Sequence, residues 1–154
     1  MDDRTFRNAM GKFATGVTVI TTAVDGEIHG MTANAFMSVS INPKLISISI
    51  DEKAKMLEMI HRSGMFTVNI LSAEQEDVSK HFAGQLQEKP TFRFERLREL
   101  PVIENALANI LCEVDSSYKA GDHTIFIGKV LDLTIREGHP LTFYEGRYGF
   151  ANTS

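Results

Sequence analysis

The feature that most constrains this chain is a pair of long strand-like runs, residues 107–118 and 123–136, separated only by the turn sequence Lys-Ala-Gly-Asp. Runs of that length with so short a connection pair antiparallel. In the second run His123, Ile125, Ile127, Leu131, Leu133 and Ile135 fall on one face and Phe126 and Val130 on the other, so both faces are partly apolar. A strand apolar on both sides needs cover on both sides. A sheet curled into a barrel, with a further partner packed outside it, supplies that cover.

The remaining pattern agrees. Asp25-Gly26 is a hairpin signal between strands at 17–24 and 27–32, and strands are also expected at 45–51 and 65–71. A helix over 53–63 presents Met56, Leu57 and Ile60, and Ser72 opens another with Gln75 as its capping-box partner, running through Val78 and Phe82 to Gly84. At the N-terminus Asp2 or Asp3 caps a helix carrying Phe6, Met10 and Phe13, which Gly16 stops and which is expected to pack on the sheet. Pro90, Pro101 and a run of charges make residues 85–102 read as a surface loop with at most one short strand, and 141–150 reads as one short closing strand. The expectation is a single domain over residues 1–154, mainly β and antiparallel, with a few small helices.

Composition narrows the function. A net charge of −4 provides no basic stripe for nucleic acid. No apolar run approaches the ~18 residues of a membrane span, and the acidic start "MDDRTF" lacks the features of a secretory signal, so the expected setting is cytoplasmic. Cys112, the one cysteine, shares a strand face with Ile110 and Val114 and reads as a buried spectator. "GKFATG" has the glycine spacing of a phosphate loop but is followed by Val17-Thr18 in place of Lys-Ser/Thr. The five histidines are scattered, and no metal site is expected.

Residues 32–40 pose the remaining question. Thr32, Asn34, Ser38 and Ser40 are interleaved with Ala33, Ala35, Phe36, Met37 and Val39, a strand interrupted by short side chains that leave backbone amides accessible. Together with "KHFAG" and "GDHTIFIGKV", the segment "GMTANAFMSVS" resembles the flavin reductase family, nearest in pattern to the reductase components of two-component phenol and 4-hydroxyphenylacetate hydroxylases. The likeness runs from Phe6-Arg7 through "FATGVTVITT" to Tyr148.

The resemblance implies a homodimeric split β-barrel that binds flavin, FAD first and FMN as the alternative. It takes hydride from NADH and supplies reduced flavin to a flavin-dependent oxygenase. It also implies that Thr32, Ala33, Asn34, Ala35, Ser38, Val39 and Ser40 lie along the isoalloxazine ring, and that Asp51, Lys53 and Lys55 sit near the flavin phosphate. "DEKAKM" lacks the Ser or Thr common there among relatives, and "NPK" stands for the commoner "NPP". Phe82, Ala83, Gly84 and Tyr148 are implied as further cofactor contacts. His123, opening its strand at a rim, is implied as the catalytic residue on the nicotinamide side. Two other readings stay open: a flavin-binding carrier or sensor without nicotinamide chemistry, and a pyridoxamine phosphate oxidase on a similar barrel.

Overall fold

A computed structural model describes residues 1–151. Its helices are α1 (Asp3–Met10), α2 (Lys55–Ser63) and α3 (Glu76–Phe82), the last preceded by a 3-10 turn at Ala73–Gln75. The strands are β1 (Thr15–Gly16), β2 (Thr18–Val24), β3 (Glu27–Ala33), β4 (Phe36–Ser40), β5 (Leu45–Asp51), β6 (Met65–Ile70), β7 (Phe94–Leu97), β8 (Leu100–Ile103), β9 (Ala108–Ala120), β10 (His123–Ile135), β11 (Leu141–Tyr144) and β12 (Arg147–Phe150).

Seven strands form the main sheet in the order β3-β2-β6-β9-β10-β5-β4, with every pairing antiparallel. Its two edge strands, β3 and β4, are consecutive in the chain and joined only by Asn34 and Ala35. Three Cα steps reach no more than about 11 Å. The sheet therefore curls until its opposite edges approach each other at that link.

Inside the curl lies an apolar core of Ile20, Ile48, Ile50, Phe66, Val68 and Phe126, to which α2 adds Met56 and Ile60. Gly128 is required here, since a Cβ on it would stand 2.6 Å from the Phe66 ring and 2.9 Å from Cys112 Cβ. Cys112 is fully buried in this core, and burial pushes its thiol up to about 12. It is the spectator expected.

Val17, just before β2, and Val19 on β2 face a second cluster with Leu71, Val78, Ile103 and Leu141. This cluster lies beneath α3, the β7–β8 hairpin and the small sheet β1-β11-β12. Buried polar groups pin the β7–β8 hairpin in place. Asn69 donates to Val19 O at 2.8 Å and accepts from Ile103 N at 2.9 Å and Asn109 Nδ2 at 2.8 Å, while Thr21 and Thr67 both donate to Pro101 O. Among the described residues no buried side-chain polar atom lacks a partner, so the network is satisfied throughout.

Three expectations are revised. Residues 85–102 contain the β7–β8 hairpin, because the Thr21, Thr67 and Asn69 side chains give its proline-containing strand polar partners that local sequence does not show. The closing segment 141–150 is two strands: Glu145 and Gly146, with φ of 50° and 76°, form a tight turn of the same kind as Asp25-Gly26, at 51° and 79°. Finally, α1 ends at Gly11, not Gly16, and buries none of its residues; Phe6, Met10 and Phe13 stay 54%, 57% and 78% exposed. Thr15 and Gly16 instead pair with Phe143 and Thr142 of β11.

Candidate functional site

The Asn34-Ala35 link organises the site. Small residues are suited to it, because the chain turns there from one sheet edge to the other and its backbone stays open to solvent. Asn34 and Ala35 are both exposed. The link is held at its ends: Thr18 Oγ1 donates to Ala33 O at 2.7 Å, Ser49 N donates to Ala35 O at 3.3 Å, and Asn34 Nδ2 reaches Thr15 Oγ1 at a long 3.4 Å.

On one side of the link is a cleft of about 190 Å³ lined by Thr32, Ala33, Asn34, Ala83, Gln85, Phe143 and Tyr148, with Val17 at its base. Thr32 donates to Ser79 O at 2.6 Å and the Tyr148 hydroxyl bonds Ser79 Oγ at 2.8 Å, so α3, β3 and β12 meet at one buried serine. On the other side is an open, mainly apolar groove of about 1000 Å³, lined by Met10 of α1, Phe13, the link residue Ala35, and the strand residues Met37, Ser49 and Ile125 of β4, β5 and β10. A third cleft, of about 950 Å³ and bordered by Glu74, Arg93, Glu104 and Arg136, contains none of the expected residues.

The rim beyond the link gathers the ionisable groups. Asp51 pairs in register with His123, two residues past Ser49, about 7 Å along the strand. Its carboxylate accepts from Lys53 N at 2.8 Å and its carbonyl from Ala54 N at 3.0 Å, shaping the turn into α2. No side chain caps α2, whose N-cap is Ala54. Lys53 is exposed and contributes, after His123, to holding the Asp122 carboxyl below its usual range. Lys55 instead reaches Glu27 on β3 at 3.1 Å, an exposed ion pair. His123 Nδ1 lies 2.8 Å from Asp122 Oδ1, with its side chain 41% exposed.

Phe82, Gly84 and the β4 residues Ser38, Val39 and Ser40 are not among the residues lining the two openings beside the link. Phe82 belongs to an aromatic cluster, edge-on to His81 and Phe92 at 4.8 and 5.2 Å, with its ring lying over Gly30, where a Cβ would approach to 2.5 Å. Gly84, at φ +72°, ends α3 between the cleft residues Ala83 and Gln85. Ser38, Val39 and Ser40 run away from the link along β4, with a bulge between Ser38 and Ser40 that leaves Val39 43% exposed.

Sequence reading missed Gln85, Phe143, Thr15 and Ser49. Gln85 and Phe143 were hidden in segments read as loop and lone strand; the regular alternation of Ser47 and Ser49 with Ile46, Ile48 and Ile50 was the available signal for Ser49. Among the described residues no group of three His, Cys, Asp or Glu side chains could hold a metal.

The comparisons fit this geometry. A solved structure described as flavin reductase PheA2 in its native state superposes with a TM-score of 0.96 and 59% identity, covering 99% of this chain and 100% of that one. An NADH-dependent flavin reductase from Rhodococcus sp is 46% identical over 92% of this chain and 82% of its own length. The reductase component of 4-hydroxyphenylacetate 3-monooxygenase from Thermus thermophilus is 38% identical over 93% of both chains. The family model described as the flavin reductase like domain matches residues 10–152, taking in the link, the clefts and the rim, and the chain belongs to that family.

Proposed function

We propose that this chain is an NADH-dependent flavin reductase that delivers reduced flavin, FAD in preference to FMN, to a flavin-dependent oxygenase. The match of the family model over residues 10–152 carries the reading. The local chemistry supports it: the Asn34-Ala35 link offers exposed backbone with no bulky side chain, beside an apolar groove of a size suited to a cofactor.

A bound flavin would supply hydride acceptance from a reduced nicotinamide, which no protein side chain can do. The chain's own residues bind and orient. Thr32 to Ala35 and the free edge of β4 would hold the ring through backbone groups, with Ala83 and Tyr148 bordering it. The uncapped start of α2 and Lys53 would hold a phosphate. His123, fixed through Nδ1 by Asp122, presents its other nitrogen at the rim and would orient the nicotinamide.

The proposal includes the assembly. The whole chain acts as one domain, a split barrel in the cytoplasm. It forms a homodimer because Phe6, Met10, Phe13 and Met37 leave a broad apolar surface uncovered. Among the described residues no helix is long and apolar enough to cross a membrane.

The test is NADH absorbance followed with and without added FAD. Flavin-stimulated oxidation is expected. Flavin binding without NADH oxidation would favour the carrier or sensor, and oxidation of pyridoxine phosphate would favour the oxidase. Sedimentation should show twice the chain mass at micromolar concentration, and an active monomer would refute the dimer.

A further inference from the structure

Two turns meet at the rim beyond the link, and the reductase reading gives each a different task. The turn from β5 into α2 holds Asp51 and Lys53, on the flavin-phosphate side, and the turn from β9 into β10 holds Asp122 and His123, on the nicotinamide side. Hydride passes only when both substrates are aligned, so the placement of one turn against the other is part of the reaction geometry.

Glu52 joins the two turns twice. Its backbone N donates to Asp122 O at 2.9 Å, and its Oε2 accepts from Thr124 Oγ1 at 3.0 Å. These contacts fall on the residues immediately before and after His123, which itself pairs in register with Asp51, the residue before Glu52. Glu52 therefore brackets the histidine from either side. Thr124 is buried and the Glu52 side chain only 28% exposed, so their bond is shielded from water. Lys119, 3.7 Å from Glu52 Oε1 and 76% exposed, is an outer contact of small weight. The neighbouring carboxylates stay within their own turns, Asp51 on Lys53 N and Asp122 on His123 Nδ1. Among the described residues of the β5–α2 turn, Glu52 is thus the one whose side chain hydrogen-bonds across to the strand that carries His123.

We infer that Glu52 is a positioning residue for hydride transfer, fixing His123 through Asp122 and Thr124 against the turn that holds the flavin phosphate. The inference rests on the reductase reading and adds a residue that lines neither opening beside the link. A carboxylate suits the place because it only accepts, so it takes the Thr124 hydroxyl while its own backbone amide is turned to Asp122.

The experiment follows Glu52→Ala, Glu52→Gln and Thr124→Val by stopped-flow flavin reduction at saturating NADH and FAD, by FAD affinity and by thermal melt. Amide hydrogen exchange at residue 52 in the flavin-free protein reads the bond to Asp122 without any turnover. Glu52→Ala should slow reduction about tenfold, a displacement of a fraction of an ångström where 1 Å carries a penalty of roughly a hundredfold, and should speed exchange at residue 52 by a similar factor. FAD affinity should stay within about twofold of wild type. Glu52→Gln keeps an oxygen for Thr124 and should hold both readouts near wild type. Thr124→Val removes the hydroxyl and keeps the shape, so it should match Glu52→Ala, and the two combined should be no slower than either alone. A Glu52→Ala protein that reduces flavin at the wild-type rate while folded, single effects that multiply in the combined variant, or a loss shared equally by rate and FAD affinity would overturn the positioning role while leaving the reductase reading intact. A wild type that fails to reduce flavin with NADH would defeat the reductase reading, and the positioning role with it.

Discussion

The two faces of β10 show what this fold separates. Inward, Phe126 and Gly128 are buried with Phe66 and Cys112, packed so closely that a single added carbon at Gly128 would collide, and Thr124 is buried with its hydroxyl on Glu52. Outward, Ile125 and Ile127 are only half-buried, and Ile125 lines a groove with Ala35, Met37 and Ser49. The same strand is thus a sealed core on one side and an open surface on the other. The sealed side sets stability, and the open side is the one the proposal assigns to ligands and a second copy.

That contrast breaks most visibly from the inside. Phe66→Ala should cost about 3–5 kcal/mol of stability, because it deletes a fully buried ring from a core with no room to collapse. Denaturant unfolding measures it. Flavin affinity of the protein that remains folded should be close to wild type, and a selective loss of flavin binding without destabilisation would show that the two faces are not independent.

The rim offers the sharpest functional test. His123→Ala should slow flavin reduction by up to about a hundredfold in stopped-flow, since misplacing the reacting rings by even 1 Å carries a penalty of that order. Flavin retention should change much less. A variant that melts early yet reduces flavin at the wild-type rate while folded would make His123 scaffold.

A smaller effect separates the two lysines. Lys53→Ala should weaken FAD binding a few-fold, as expected of an exposed contact worth about 0.3–1 kcal/mol. Lys55→Ala should do less, because Lys55 already spans to Glu27. Fluorescence quenching titrations distinguish them, and equal losses would restore the lysines as a pair.

How far this was legible in the sequence follows the same division. The hairpin at Asp25-Gly26, the Ser72–Gln75 capping box and the alternation of Ile46, Ile48 and Ile50 are local signals, and the structure carries all of them. The break at Asn34-Ala35 was visible as an interrupted strand, but that it links opposite edges of one sheet depends on strand order, which no local pattern encodes. The β7–β8 hairpin was illegible because its stabilising partners, Thr21, Thr67 and Asn69, are distant in sequence. At the site, the contact of Lys55 with Glu27 spans 28 residues of sequence, and Gln85 and Phe143 join the cleft only through tertiary packing, so neither was legible locally.

The most direct measurement is FAD affinity of Ala35→Phe, taken together with its thermal melt. Ala35 is exposed, so a phenyl group there meets no core and should leave the melting temperature within about 2 °C of wild type, in keeping with the small cost of surface substitutions. It would, however, fill the groove beside the link. The account predicts FAD binding weakened at least about tenfold at unchanged stability. Undiminished FAD affinity in a fully folded Ala35→Phe protein would contradict it.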